Sequence, residues 1–219
     1  MIKSIYISRP DKEIPALRKY AEQQGISLIA SSQIRFEALS NKQKSPAEVI
    51  FFSSIRAAQY YLLHHEIESN VAIATIGSAT ATKLRELGLN PSFIGEKAGD
   101  PEAVTNEFKA WLQGRKVLIP CSTISNRSIA VSLPIEQVEE LIVYKTISAC
   151  SEVGSHAVYI FTSPSNFRAF RQCNTLPEHA QVIAWGKTTE KALTEAGIEP
   201  IYTLESSTEE ELIAFISMK

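Results

Sequence analysis

The sequence predicts an α/β protein with parallel sheets, organised as two similar halves. Apolar runs long enough for buried strands alternate with amphipathic stretches of helical spacing, and strands that alternate with helices form parallel sheets. The run "IFFSS" at residues 50–54 matches "IFTSP" at 160–164, an offset of 110. The stretch "TIGSATATKLRELGLNP" at 75–91 matches "AWGKTTEKALTEAGIEP" at 184–200, an offset of 109. Internal matches of this kind indicate that one structural plan is used twice.

The predicted elements follow in the same order in each half. Each half consists of a buried strand, a corner rich in serine, a helix, a second strand, a Gly-x-x-Thr corner, a second helix closed by glycine, and a short strand. The second match aligns the corner and helix-ending residues, namely Gly77 with Gly186, Thr80 with Thr189, Gly88 with Gly197, and Pro91 with Pro200.

Two smaller pieces of strand and helix precede the two halves. The sequence predicts a strand over residues 3–10 and a helix over residues 14–24. It predicts a strand, a polar loop and a short helix over residues 115–133. Each piece can join the half that follows it or the other half, because periodicity does not report which sheet a strand enters. Extended segments at 31–39 and 140–148 could pair as a two-stranded connector. That pairing would place the N-terminal piece in the C-terminal half.

Composition and charge argue against several classes of protein. The 219 residues are 44% hydrophobic, enough for one large or two modest cores, and the formal charge of −2 gives no basic field for nucleic acid. The N-terminus lacks the apolar core of a signal peptide, and no run approaches the ~18 apolar residues of a membrane span. Cys121, Cys150 and Cys173 lack metal-ligand spacing, so we expect reduced, buried thiols. We therefore expect a cytoplasmic monomer that binds neither nucleic acid nor membrane.

Hydroxyl residues crowd the predicted corners, where strands end and helices begin. In an open parallel sheet, ligands bind outside the carboxyl ends of the strands, beside the helix N-termini. One interpretation is that each hydroxyl is an N-cap, which stabilises its helix by about 1 kcal/mol. A second interpretation rests on the repetition of such corners, four in two related units, which indicates a surface of open helix N-termini. Such a surface, in a cleft between two domains, suits a ligand with many carboxylates. The corner hydroxyls are Ser53, Ser54, Ser78, Thr80, Thr162, Ser163, Ser165, Thr188 and Thr189.

The sequence contains none of the common catalytic or metal-binding motifs. It has no GxGxxG after the first strand and no GxxxxGKS/T, HExxH or DxDxDG pattern. His64, His65, His156 and His179 lie away from the corners, and we interpret them as surface or structural residues. We therefore expect neither a metal nor a cofactor.

At its corners the sequence resembles uroporphyrinogen-III synthase. The resemblance lies in "FTSPSNFRAF" at 161–170, in the two Gly-x-x-Thr corners, in "VYKT" at 143–146, and in the opening strand followed by Arg9 and Pro10. It runs thinly along essentially the whole chain. This family implies two similar parallel-sheet, flavodoxin-like α/β domains joined by a two-stranded connector, with the N-terminal piece packed in the C-terminal domain.

The resemblance also implies how the chain divides. A discontinuous domain would comprise residues 1–32 and 149–219, and an inserted domain residues 40–141. Residues 33–39 and 142–148 would be the connector strands.

The implied activity is that of a cofactor-independent lyase and cyclase of tetrapyrrole biosynthesis. Hydroxymethylbilane, a linear tetrapyrrole with eight carboxylates, would lose water and close with inversion of its last ring to give uroporphyrinogen III. By motif, Tyr144 is the expected proton donor, with a purely structural place on an edge strand as the alternative. The expected substrate-binding residues are Arg9, Ser53, Gly77, Ser78, Thr80, Ser163, Ser165, Gly186, Lys187, Thr188 and Thr189.

A function of another class fits the same pattern. Two similar α/β domains with a cleft also describe cytosolic binding or sensor proteins, which close on a polycarboxylate ligand without transforming it. Conversion of hydroxymethylbilane separates the two hypotheses, because a binding protein leaves the product of uncatalysed closure unchanged.

Overall fold

The computed structural model describes residues 2–40, 45–96, 101–125 and 127–219. These residues form two compact units. Unit 1 is Met1–Arg35 with Ile147–Lys219, and unit 2 is Phe36–Thr146. No helix within the described ranges is long and apolar enough to cross a membrane.

Strands and helices alternate along most of the chain. The strands are β1 (Ser4–Ile7), β2 (Ser27–Ala30), β3 (Ile34–Ala38), β4 (Val49–Phe52), β5 (Ala72–Thr75), β6 (Phe93–Ile94), β7 (Val117–Ser122), β8 (Val138–Ser148), β9 (Val158–Phe161), β10 (Gln181–Ala184) and β11 (Tyr202–Thr203). The helices are α1 (Pro15–Gln24), α2 (Ile55–Leu62), α3 (Ser78–Glu86), α4 (Pro101–Leu112), α5 (Ser128–Val131), α6 (Pro164–Phe170), α7 (Lys187–Thr194) and α8 (Glu209–Ser217).

Unit 1 is a five-stranded sheet in the order β11-β10-β9-β1-β2, with every neighbouring pair parallel. Helices cover both faces, which is why its central strands are continuous apolar runs without alternation. Ile5 and Ile7 of β1 pack on one face with residues of α1 and α8. Tyr6, between them, packs on the other face with residues of α6 and α7.

Unit 2 is a six-stranded sheet in the order β3-β8-β7-β4-β5-β6. Phe51 of β4 packs with Phe108 of α4 on one face. Phe52, the next residue, packs with Tyr61 of α2 on the other face. The buried faces of this sheet are therefore filled from both sides, as in unit 1.

The two units share one plan, as the sequence predicts. Strands β4 and β9 begin at residues 49 and 158, β5 and β10 at 72 and 181, and β6 and β11 at 93 and 202, an offset of 109 in each case. The offset of 110 predicted for the first corner is therefore wrong by one residue. Ser54, and not Ser53, is the counterpart of Ser163, because consecutive hydroxyl residues follow both strands and allow either register.

The N-terminal piece belongs to the C-terminal unit, which confirms the crossed arrangement. Strand β1 lies between β9 and β2 in unit 1, and β7 takes the matching place beside β4 in unit 2. Strands β3 and β8, where the chain passes between the units, are neighbours in one sheet. The Leu39 amide donates to the Val143 carbonyl at 2.9 Å, and the Ala149 amide donates to the Gln33 carbonyl at 2.8 Å.

The cysteines correct one expectation from the sequence. Cys150 and Cys173 form a disulfide, with their Cα atoms 6.1 Å apart, so the prediction of reduced thiols is wrong for these two residues. They lie 23 residues apart in sequence, and the packing of α6 brings them together, which their spacing does not reveal. Cys121 is a free, buried thiol, and burial raises its pKa to about 11.

Candidate functional site

The carboxyl ends of the parallel strands carry the residues singled out from the sequence. These are Ser53 and Ser54 after β4, Gly77 after β5, Ser163 after β9, and Gly186 after β10. A helix follows each corner, so its first amides lie at the edge of the sheet where α/β proteins bind ligands.

The two serine corners cap their own helices. Ser54 accepts a hydrogen bond from the Ala57 amide at 3.2 Å, and Ser163 accepts one from the Asn166 amide at 3.2 Å. The N-cap interpretation is therefore correct for Ser54 and Ser163. Ser53, the residue predicted to bind substrate, is half-buried beside the cap.

Ser163 is the centre of a small hydrogen-bond network. The Asn166 side-chain amide also donates to Ser163 Oγ at 3.2 Å, and Ser165 Oγ lies 3.1 Å away. A hydroxyl accepts two hydrogen bonds and donates one. With both acceptor positions taken by Asn166, the Ser163 proton is left to donate to Ser165 or to a ligand oxygen.

Asn166 connects this corner to the start of β3. Its carbonyl oxygen accepts hydrogen bonds from the Gln33 amide at 2.8 Å and from Ser32 Oγ at 3.2 Å. Gln33 is fully buried and Asn166 nearly so. Sequence reasoning missed Asn166, because its partners lie more than 130 positions away.

At the two glycine corners, no side chain among the described residues caps the helix N-terminus. Gly77 precedes α3 with φ −179°, and Gly186 precedes α7 with φ 174°, so both are extended and neither offers a side chain to the orphan amides. The first N–H groups of a helix carry partial positive charge and bind anions. The structure thus pairs one capped and one uncapped corner in each unit.

The side chains around the glycine corners differ in exposure. Ser78, Lys187 and Thr188 are exposed, and Thr80 is half-buried. Thr189 is only 2% exposed, so its side chain belongs mainly to the interior of unit 1. Lys187 adds a positive charge at the first position of α7.

Arg9 lies just beyond β1, with its guanidinium 4.2 Å from the centre of the Trp185 ring. Its side chain is 27% exposed, and burial lowers its pKa, opposed by the nearby Glu13 and Glu209 carboxylates. Glu13 approaches to 3.9 Å. Among the residues that the structure describes, the guanidinium has no hydrogen-bond partner.

Ser8 and Thr162 fasten the ends of β1 and β9 to each other. The Thr162 amide donates to Ser8 Oγ at 2.8 Å, and Thr162 Oγ1 donates to the Ser8 carbonyl at 2.8 Å. Ser8 is fully buried. These two hydroxyls therefore hold adjacent strands in place, and Thr162 is structural.

Tyr144 follows a β-bulge in β8. Cys121 pairs with Ile142 and Ser122 with Tyr144, so Val143 is the extra residue. Val143 and Tyr144 consequently pack into the same core cluster instead of facing opposite sides of the sheet. Bulges commonly redirect a side chain beside a functional site.

Two aromatic contacts hold the Tyr144 ring. The ring stacks on Tyr60 with centroids 4.9 Å apart and meets Phe36 edge-on at 5.9 Å. Tyr144 is 7% exposed. Within the described part of the chain, its hydroxyl has no hydrogen-bond partner. A tyrosine hydroxyl held in this way can donate a proton or a hydrogen bond to a bound molecule.

Arg56 is a residue that sequence reasoning missed. Its guanidinium lies 3.7 Å from the centre of the Phe36 ring, and Arg56 is the second residue of α2. A cation in the first turn adds to the positive end of the helix dipole, which favours an anionic ligand there. Its signal in the sequence is an arginine directly after the serine corner.

The histidines lie away from the corners. His64 and His65 follow α2 and line a cavity of about 1070 Å³ with residues at the amino ends of the unit 2 strands, including Glu48 and Ala72. Among the residues that the structure describes, no group of three or more His, Cys, Asp or Glu side chains could hold a metal ion.

Comparison with known proteins gives one consistent result. The family model described as "Uroporphyrinogen-III synthase HemD" matches residues 15–214. The crystal structure of uroporphyrinogen-III synthetase from Helicobacter pylori is similar with a TM-score of 0.75 and 18% identity, covering 100% of both chains. A mutant uroporphyrinogen III synthase from Thermus thermophilus is similar with a TM-score of 0.62 and 14% identity, covering 98% of each chain. At these identities the two structures show a shared fold. No curated protein matches the chain significantly.

Proposed function

We propose, because the chain belongs to the uroporphyrinogen-III synthase family, that it converts hydroxymethylbilane to uroporphyrinogen III with loss of water and inversion of the last pyrrole ring. The observation that carries this proposal is the family match, which extends over residues 15–214 and so includes the corners of both units.

The reaction asks little covalent chemistry of the protein. The pyrrole nitrogen expels the adjacent hydroxyl, which takes up a proton and leaves as water, and an azafulvene remains. The substituted α-carbon of the last ring attacks this electrophile and forms a spiro intermediate, in which that carbon has no proton to lose. The bond from this carbon to the bridge of the third ring then breaks and leaves a second azafulvene on the third ring. The free α-carbon of the last ring attacks this azafulvene, and loss of the proton on that carbon restores the aromatic ring with the last ring inverted. A 100-fold preference for this closure over closure at the free carbon needs only about 2.7 kcal/mol of differential transition-state stabilisation.

Tyr144 is the proposed proton donor to the leaving hydroxyl. Its ring is held by Tyr60 and Phe36, and its hydroxyl has no hydrogen-bond partner within the described residues. Protonation of a leaving group by a positioned acid typically contributes 10²- to 10⁴-fold, in rough terms, to the rate.

The corners are the proposed binding sites for the acetate and propionate groups. The uncapped amides after Gly77 and Gly186 supply partial positive charge, and Arg9, Lys187 and Arg56 supply full charges. Many such contacts are needed, since each carboxylate at a helix N-terminus gains only about 0.3–1 kcal/mol. The remaining proposed contacts are Ser53, Ser78, Thr80, Ser163, Ser165, Thr188 and Thr189, and of these Thr189 offers the least surface, because it is only 2% exposed.

Further parts of the proposal concern organisation and location. The connector strands are residues 33–39 and 142–148, and they join the domain of residues 1–32 and 149–219 to the domain of residues 40–141. The enzyme acts as a cytoplasmic monomer without a nucleic-acid or membrane partner. Disulfides are rare in reducing cytosol, so we expect Cys150 and Cys173 to be free thiols in the cell and to form their disulfide in purified, oxidised protein. A thiol count in freshly lysed cells tests this location, and a disulfide already present there would contradict it.

The activity is tested by adding purified protein to freshly prepared hydroxymethylbilane, oxidising the product and separating the porphyrin isomers. We expect the inverted isomer to form at a rate proportional to protein concentration, while the protein-free control yields the unrearranged isomer. Formation of the unrearranged isomer alone at every protein concentration would reject the proposed function.

A further inference from the structure

Both tryptophans of the chain carry an arginine over the indole ring. The Arg9 guanidinium lies 4.2 Å from the centre of the Trp185 ring, and the Arg115 guanidinium lies 4.2 Å from the centre of the Trp111 ring. A guanidinium at this distance is attracted by the negative face of the indole. The two stacks have equal spacing, so any difference in role comes from the other contacts of each arginine.

Those other contacts differ completely. Arg115 Nε donates to the Leu112 carbonyl at 2.9 Å, and Arg115 Nη2 donates to the Trp111 carbonyl at 2.7 Å. The N–H groups of the Arg115 guanidinium are therefore already bonded to carbonyls at the C-terminus of α4. The Arg9 guanidinium makes no hydrogen bond to any residue that the structure describes, and its ion pair with Glu13 is long at 3.9 Å. Arg115 is thus a helix-terminating residue, whereas Arg9 keeps its N–H groups available to a ligand.

Trp185 is a fixed support for Arg9. The side chain is 6% exposed and belongs to the same core cluster as Ile7 and Leu204. Its backbone is held on both sides, because its amide donates to the Phe161 carbonyl at 2.9 Å and its carbonyl accepts from Ser207 Oγ at 2.7 Å. The ring therefore cannot shift without disturbing the unit 1 sheet.

Partial burial removes water molecules from the Arg9 guanidinium, and no described residue replaces their hydrogen bonds. A bound ligand can replace them. Covering one side of the cation with an indole face compensates part of that loss and limits the side chain to few rotamers. A carboxylate can then bind the N–H groups of the Arg9 guanidinium through two parallel hydrogen bonds. The entropic cost is lower than for an arginine side chain that is not held against a ring.

We propose that Trp185 is a positioning residue, which holds Arg9 ready to bind a carboxylate of the tetrapyrrole substrate. This inference rests on the proposed function and adds to it a residue that does not touch the substrate. Trp185 acts through Arg9, so its removal weakens binding of the substrate before and during the reaction to a similar degree. Uniform binding of this kind changes KM and leaves kcat nearly constant.

The test is a double-mutant cycle measured by initial rates on hydroxymethylbilane. Trp185→Leu is expected to raise KM roughly tenfold and Trp185→Phe roughly threefold, with kcat within about twofold of the wild-type value. In an Arg9→Gln background, Trp185→Phe and Trp185→Leu are expected to change KM no further. A KM increase of the same size in that background would overturn the inference, because Trp185 would then act independently of Arg9.

A shape-preserving change guards against misfolding of the leucine variant. In a Trp111→Phe protein, Trp185 is the remaining tryptophan, and growth on fluorinated tryptophan weakens the electrostatic face of its ring with little change in volume. We expect KM to rise stepwise with the number of fluorine atoms, and an unchanged KM would contradict the inference.

The second stack is the matched control. Trp111→Leu and Arg115→Gln are expected to lower the melting temperature without raising KM. If the wild-type protein forms no inverted isomer, the proposed function fails. If the wild type is active and KM is insensitive to Trp185, only the present inference fails.

Discussion

Replacing Tyr144 with phenylalanine separates catalysis from folding, because the structure assigns no folding role to its hydroxyl. The ring contacts with Tyr60 at 4.9 Å and Phe36 at 5.9 Å remain in Tyr144→Phe. The lost hydroxyl has no hydrogen-bond partner within the described residues, so no intramolecular bond is broken. We therefore expect the free energy of unfolding to change by less than about 0.5 kcal/mol and the melting temperature by less than about 2 °C.

The expected effect on turnover is much larger. A positioned general acid contributes about 10²- to 10⁴-fold, and we expect kcat to fall at least about tenfold, which corresponds to about 1.4 kcal/mol or more of activation free energy. The assay follows conversion of hydroxymethylbilane in initial-rate mode, corrected for the uncatalysed closure. Circular dichroism melting of the same preparation reports the stability.

Tyr60→Phe is the matched control. The Tyr60 hydroxyl donates to the Phe36 carbonyl at 3.2 Å, and its loss is expected to cost about 0.5–1.5 kcal/mol of stability. Its turnover is expected to stay within about threefold of the wild-type value. Wild-type turnover in Tyr144→Phe would show that the Tyr144 hydroxyl does not donate the proton to the leaving group.

Three further predictions concern stability. Hydrogen bonds from Ser206, Glu205 and Tyr202 lower the pKa of Glu211 to about 2. The ionised Glu211 carboxylate therefore stabilises the fold fully above its usual pKa of 4.5, and this stabilisation is lost as the pH falls towards 2. We expect the melting temperatures of wild type and Glu211→Gln to converge over that pH range. Cys173→Ser is expected to cost about 3 kcal/mol of unfolding free energy in denaturant titrations, since the disulfide closes a loop between residues 23 apart. Gly95→Ala is expected to cost about 1–3 kcal/mol, because its Cβ would lie 2.5 Å from the Ile76 carbonyl oxygen.

Each of these predictions has its own contrary outcome. Parallel melting temperatures of Glu211→Gln and wild type from pH 6 to pH 2 would contradict the role of Glu211, with the exposed Glu210→Gln as the control. Three titratable thiols in denatured, unreduced protein, in place of one, would show that Cys150 and Cys173 are not joined. If Gly95→Ala is as stable as wild type, the backbone at Ile76 must move at little energetic cost to make room for the added Cβ.

The overall plan could be predicted from the sequence because local patterns determine it. Buried runs such as 158–161 lack alternation, which indicates strands covered on both faces. Gly88 and Gly197 adopt positive φ values of 80° and 79° just after α3 and α7, as their place at the ends of the amphipathic patterns predicts. The repetition of these local signals gave the two units and their corners.

Features that depend on long-range contacts could not be predicted in this way. The bulge at Val143 changes which side of the sheet Tyr144 faces, and nothing in "VYKT" marks it. The hydrogen bond from the Gln33 amide to Asn166 and the Cys150–Cys173 disulfide join residues that only the folded chain brings together. The one-residue error at Ser53 has a simpler cause, since two adjacent serines suit an N-cap equally well and only the geometry selects Ser54.

The proposed reaction requires the chain to direct the first ring closure to the substituted carbon of hydroxymethylbilane. A single-turnover reaction, with protein in tenfold excess over fresh substrate, tests it most directly because uncatalysed closure then has little time to compete. We expect nearly all of the product, after oxidation and separation, to be the inverted isomer. The same isomer ratio as in the protein-free reaction would contradict it.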